Sequence, residues 1–128
     1  MRYLLDTHTL IWWLLGDPSL SDAARVAIQS NDHFFFVSSI SIFEIAIKVR
    51  GGRLDALAEP MAMIDGVLEQ EGFEMLPLNL HHARRAGLMT GQHRDPFDRM
   101  LAAQGLIEGM TLITRDHEIA AFGCETLW

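Results

Sequence analysis

Short apolar runs alternate with longer amphipathic stretches along the whole chain. Arg2-Tyr3-Leu4-Leu5 ends at Asp6 and reads as a buried strand. Thr9 to Leu15 reads as a short helix, stopped by Gly16-Asp17-Pro18. Ser21-Asp22 opens a second helix to about Ser30, with Ala23, Ala24, Ala27 and Ile28 on one face. Phe34 to Val37 is a second strand, and Ser41 opens a helix through about Arg50, closed by Gly51-Gly52. Met61, Ile64 and Leu68 keep helical spacing within a segment from Pro60 to about Gln70, followed by Gly72. Phe73 to Leu78 is a third strand-like run, and His81 to Thr90 a helix closed by Gly91. Pro96 to Glu108 is a helix stopped by Gly109. Met110 to Thr114 is a strand, Asp116 to Ala121 a short helix and Glu125 to Trp128 a last strand. Such alternation predicts an α/β fold with a mainly parallel central sheet and helices on both faces. In that architecture the functional crevice lies beyond the carboxyl ends of the strands.

Composition narrows the class. The chain has 128 residues, 49% of them hydrophobic and 21% charged, which excludes disorder as its main state. It holds no linker-like stretch and no internal repeat, so residues 1–128 are expected to form a single domain. Lys and Arg number 10 against 17 Asp and Glu, a formal net charge of -7. A protein that grips nucleic acid through a broad basic face would carry the opposite sign. The single cysteine, Cys124, excludes an intramolecular disulfide and a cysteine-rich zinc site. The N-terminal apolar run is broken by Asp6 and His8, and no run approaches the roughly 20 apolar residues of a membrane span. A cytoplasmic protein without a membrane partner is the expectation.

Four carboxylates fall where predicted strands end. Asp6 follows the first strand, and Glu44 lies in the first predicted turn of the helix after the second. Asp98 lies in the first turn of the Pro96 helix, and Asp116 follows the Met110–Thr114 strand. Each has a local explanation. Ser41 and Glu44 match a capping box, and Asp6 and Asp116 can cap the helices after them. Asp95-Pro96-Phe97-Asp98 fits a cap, a proline and a favourable first-turn acid, and Asp95 reads as the plain cap. Capping explains each acid separately but not their sum. Four carboxylates in one crevice repel unless protonated or neutralised, and Arg99 and Arg115 are the cations that adjoin them in sequence. A hard divalent ion with oxygen ligands is the simpler partner, and such a site suits phosphodiester cleavage.

The motifs Leu5-Asp6-Thr7-His8, Ser38 to Lys48 around Glu44, His93-Arg94-Asp95-Pro96-Phe97-Asp98-Arg99 and Leu112-Ile113-Thr114-Arg115-Asp116 together resemble the PIN-domain family. The resemblance is greatest to the VapC-type toxins of bacterial type II toxin–antitoxin systems and spans essentially the whole chain. It implies a PIN-like three-layer sandwich and an endoribonuclease that uses Mg²⁺ or Mn²⁺. By the same resemblance Asp6, Glu44, Asp98 and Asp116 are the catalytic and metal-binding acids, and Thr7 and Thr114 hold them in place. The implied partners are an RNA substrate, a small VapB-like antitoxin laid over the acidic groove, and a second copy in a homodimer. A solitary nuclease outside such a pair, or a catalytically silent interaction module, is the alternative.

Other candidates have plainer readings. His81 and His82 are adjacent and point about 100° apart on a helix, poor geometry for one ion. His8 is read as a packing or hydrogen-bonding residue, and His93 and His117 as polar loop or helix-start residues. Trp12-Trp13 reads as core or dimer interface before a base-stacking platform. Lys48, Arg50 and Arg53 read as a solvated helix end before an RNA track. With four acids assigned to one site, the negative charge is partly a local demand for metal. Any grip on RNA then depends on metal–phosphate contacts and a few arginines.

Overall fold

A computed structural model describes all of residues 1–128. The first strand, β1, is Arg2–Leu5, and Asp6 at once caps helix α1, Thr7–Leu15. The helix therefore begins two residues earlier than the sequence pattern predicts, because the Asp6 carboxylate itself accepts the Thr7 N–H. Gly16, at φ 63°, closes it in the left-handed conformation that glycine adopts without steric cost. Helix α2 is Asp22–Gln29, capped by Ser21, and strand β2 is Phe34–Ser38. Helix α3 spans Ser39–Arg50.

Ser38 is the cap of α3, through its Oγ and the Ile40 N–H. The capping box read at Ser41 and Glu44 does not form. Ser41 is buried and accepts a hydrogen bond from Thr7 Oγ1 at 2.9 Å, and Glu44 falls in the second turn rather than the first. The predicted helix from Pro60 is divided. A short 3-10 turn at Asp55–Leu57 leads into α4, Ala58–Ala62, and α5, Ile64–Glu71, with the break at Met63. Strand β3, Phe73–Leu76, stops where Pro77 supplies no N–H to the ladder. The remaining elements are α6 (Leu80–Leu88), α7 (Pro96–Glu108), β4 (Thr111–Ile113), α8 (His117–Ala120) and β5 (Thr126–Leu127).

All strand pairs are parallel, in the order β3-β2-β1-β4-β5. Strand alternation sends Tyr3, Leu5, Val37 and Ile113 to one face, where they meet Leu10 and Ile11 of α1, Ala24 and Ile28 of α2, Ile45 of α3 and Leu68 of α5. Leu4 and Leu112 point to the other face and meet Leu101 and Ala102 of α7 and Ile119 of α8. The result is three layers, with the sheet between two apolar seams. The chain starts in the middle strand and adds β2 and β3 on one side, then β4 and β5 on the other. The reversal between β1 and β4 is a topological switch point, and Asp6 and Asp116 follow those two strands.

Close packing of α7 on β4 depends on Gly105. A Cβ there would run into Leu112 Cδ1, the tip of a fully buried side chain, and approach the Met110 carbonyl at 3.4 Å. Gly105→Ala is expected to cost about 1–3 kcal/mol through overpacking. Urea unfolding reads this as a lower midpoint at an unchanged slope, and a midpoint equal to that of the parent would show that Leu112 can give way.

Candidate metal centre

Asp6 is 5% exposed. Its Oδ1 accepts the Thr7 N–H at 2.6 Å and its Oδ2 accepts the Thr114 hydroxyl at 2.7 Å. The same Thr114 oxygen accepts the Asp116 N–H at 3.0 Å. One buried hydroxyl thus ties the acids that follow β1 and β4. Thr7 contributes its backbone to Asp6, while its side chain fastens α1 to Ser41 of α3. Asp116 caps α8 through the Glu118 N–H at 2.8 Å. Burial raises the Asp6 pKa, against the opposing pull of the Thr114 and Thr7 bonds.

Asp98 stands in the first turn of α7, presented by the cap that the sequence assigned to Asp95. Asp95 Oδ1 accepts the Phe97 and Asp98 N–H groups at 2.9 and 3.3 Å. Burial pushes the Asp98 carboxyl up to about 7. The charges of Asp6, Asp95 and Asp116 press the same way, and the hydrogen bond from His93 only partly offsets them. His93 Nε2 lies 2.8 Å from Asp98 Oδ2, and its Nδ1 pairs with Glu118. Burial lowers the His93 pKa, but the Asp98 bond and the charges of Asp98, Glu118 and Asp116 outweigh it, so the ring is held in its cationic form more readily than a free imidazole. A protonated His93 faces a carboxylate from each ring nitrogen.

The donor atoms of His93, Asp98 and Asp116 all lie within 4.8 Å of one another. Asp6 stands behind this tight group, in the same cleft as Asp116. Glu44 is outside it and forms an i,i+4 ion pair with Lys48 at 3.6 Å. The sequence reading of His93 as a polar loop residue misses its place in this group, for which its spacing of five residues before Asp98 is the one signal; Glu118 lies outside the group and meets it through His93 Nδ1. The carboxylates of Asp98 and Asp116, with the buried Asp6 carboxylate close by, are hard oxygen donors of the kind that suit a divalent cation, and His93 could join them only after giving up its proton. The Asp98 carboxyl is raised first by burial and then by the charges of Asp6, Asp95 and Asp116, and a bound cation would offset both.

The neighbours of the centre also take definite places. Arg99, beside Asp98 in sequence, is not available to neutralise it, because its guanidinium donates to the backbone carbonyls of Ala86, His93 and Met89. Trp12 touches Trp128, as a core residue would, yet its ring also lines the cleft that holds Asp6 and Asp116. His82 is fully buried between Asn79, Gln104 and Glu108, while His81 is exposed, so the two histidines serve different surroundings. No helix is long and apolar enough to cross a membrane.

An all-parallel sheet with carboxylates and a histidine gathered beyond its strand ends defines an α/β protein with an acidic centre. The chain belongs to the PIN domain family, whose profile matches residues 3–123. It is 28% identical over 116 residues to Ribonuclease VapC22 of Mycobacterium tuberculosis (strain ATCC 25618 / H37Rv), covering 91% of this chain and 88% of that protein. Among solved structures it is similar to a chain of VapBC2 from Rickettsia felis, bound there to a DNA fragment from its promoter. That match has a TM-score of 0.75 at 15% identity and covers 99% of this chain and 98% of the other. VapBC-1 from nontypeable Haemophilus influenzae gives a TM-score of 0.70 at 18% identity, with 99% and 97% covered. At these identities the structural likeness is one of fold.

Proposed function

We propose that this protein is a divalent-metal-dependent ribonuclease that acts as the toxin of a toxin–antitoxin pair. The observation that carries the reading is the convergence of His93, Asp98 and Asp116, backed by Asp6, in a PIN domain aligned over nearly its full length with a ribonuclease. Asp6, Asp98 and Asp116 would hold the ion, with Glu44 completing the site from α3 and Thr7 and Thr114 as positioning residues. The chemistry that Mg²⁺ or Mn²⁺ would supply there is activation of water and neutralisation of charge at the phosphate. The chain does the rest. Thr114 aims Asp6 and keeps its second oxygen from rotating away, and α7 presents Asp98 from an N-terminal turn whose dipole favours negative charge. His93 can hold or release a proton at Nε2 beside Asp98, and so adjusts the charge of the centre as an anion enters.

The partner reading follows the same chemistry. A small antitoxin with a basic segment is electrostatically matched to a cleft lined by Asp6 and Asp116. We assign the homodimer to the same reading, as a second copy of this chain. We assign a cytoplasmic setting to the same reading; the single cysteine, Cys124, is half-buried, and burial pushes its thiol up to about 11.

Purified protein is expected to cleave RNA with Mg²⁺ or Mn²⁺ and to stop in EDTA. Metal-independent cleavage, or none with either ion, would reject the reading. The ion must also compete with protons at Asp98. Asp98 has a folded pKa raised above that of the unfolded chain. Its share of metal-free stability is therefore present below about pH 4 and is lost as pH rises towards 7. The melting temperature in EDTA should fall across that window. The rise produced by Mg²⁺ or Mn²⁺ should be small at pH 5 and large at pH 8. Equal stabilisation at both values would mean that Asp98 does not face the ion.

A further inference from the structure

Two clefts flank the acidic centre. One, of about 470 Å³, is lined by Asp6, His8, Trp12, Arg115, Asp116 and His117. The other, of about 440 Å³, includes His93, Arg94, Glu118 and Phe122 in its walls. Asp116 belongs to the first and His93 to the second, so the tight group lies between them. Each cleft carries one exposed arginine, Arg115 and Arg94. Most other cations near the carboxyl edge of the sheet are committed: Lys48 to Glu44 and Arg99 to three backbone carbonyls.

Neither Arg115 nor Arg94 forms an ion pair or an intramolecular hydrogen bond, although Asp116 follows one in sequence and Asp95 the other. The Arg115 guanidinium carbon lies 4.5 Å from the Trp12 ring centroid, a cation–π contact made in place of an ion pair. This gives Trp12 a reason to line the cleft. A guanidinium with all five donors uncommitted, beside the acidic centre that the ribonuclease reading gives to a divalent cation, matches the bidentate geometry of phosphate oxygens. A chain of net charge -7 offers a polyanion few other handholds.

We propose that Arg115 and Arg94 are phosphate clamps on either side of the acidic centre, gripping the backbone of a single-stranded RNA that passes from one cleft to the other. The proposal rests on the ribonuclease reading and extends it to how the substrate is held. The two clamps bracket the cleaved bond, so their contacts fall on phosphates either side of it. They carry charge recognition without reading bases.

The test is the binding of a labelled single-stranded oligoribonucleotide with phosphorothioate linkages, followed by fluorescence anisotropy in Ca²⁺ over a series of salt concentrations. Arg115→Ala and Arg94→Ala are each expected to weaken binding about tenfold and to reduce the slope of log K against log salt by about 0.7, the release expected for one phosphate contact on a single strand. Arg115→Lys should keep the slope but lose affinity, since the point charge remains and the planar fork does not. Arg53→Ala removes an equal charge beyond the far end of α3 and should change neither quantity. Slopes unchanged in both clamp variants, or lowered equally by Arg53→Ala, would overturn the clamps while leaving a binding, cleaving wild type as a ribonuclease. A wild type that neither binds nor cleaves RNA would overturn both readings.

Discussion

Asp98→Asn is expected to lower metal-dependent RNA cleavage by at least about a hundredfold, while the metal-free protein becomes no less stable. The activity estimate starts from the 10–100-fold losses seen when groups behind a metal ligand are changed; removal of a direct ligand should do no less. The stability expectation comes from electrostatics. Asp98 is largely buried among Asp6, Asp95 and Asp116, and its carboxyl is pushed up to about 7, so ionising it works against the fold. Asparagine has nearly the same shape and no charge. Its carbonyl can still accept from His93 Nε2, which lies 2.8 Å from Asp98 Oδ2. The variant should therefore melt at or above the wild-type temperature in EDTA at pH 8, and Mg²⁺ or Mn²⁺ should no longer raise it. Cleavage within about tenfold of wild type would remove Asp98 from the centre. Lost activity together with a lower melting temperature in EDTA would mark Asp98 as a structural partner of His93 instead.

Leu5→Ala should have the largest effect on stability, about 3–4 kcal/mol, in the range measured for buried leucines that leave a cavity. Leu5 is 0% exposed in the middle strand, with β2 on one side and β4 on the other. Its side chain belongs to the larger apolar seam, with Leu10, Val37, Ile45 and Ile113. Neighbours on two paired strands cannot close in without breaking register, so the cavity persists. For a domain of this size the melting temperature should drop by roughly 10–20 °C. Because Asp6 follows directly, the loss should also weaken stabilisation by metal. A drop of less than about 5 °C would show that the seam collapses around the missing side chain.

Much of the architecture was legible in the chain because periodicity is a local property. Strand-length apolar runs and helix stops at Gly16, Gly72 and Gly109 placed most elements within two or three residues. Where the boundaries moved, a side chain had been given the wrong partner. Asp6 caps α1 directly, so that helix starts at Thr7. Ser41 turns inward to Thr7, so Ser38 takes over the cap of α3. A capping signature specifies which groups could bond, but burial decides which of them do.

For the centre, the positions of Asp6, Asp98 and Asp116 behind strands or at a helix start could be read in advance, as could the hydroxyl of Thr114 beside them. The place of His93 could not. It sits in a loop with no periodicity, and it faces Asp98 and Glu118 only because α7 and α8 pack on the same face of the sheet. The free state of Arg115 was equally hidden, since sequence adjacency to Asp116 suggests a salt bridge and the guanidinium lies on the Trp12 ring instead. The sequence by itself determined the class of fold, the acidic residues and the sign of the charge they create, because these follow from composition and local period. Tertiary structure alone decided which acids share one ion-sized space, which cations stay free and which histidine joins them, because those depend on distances between elements far apart in the chain.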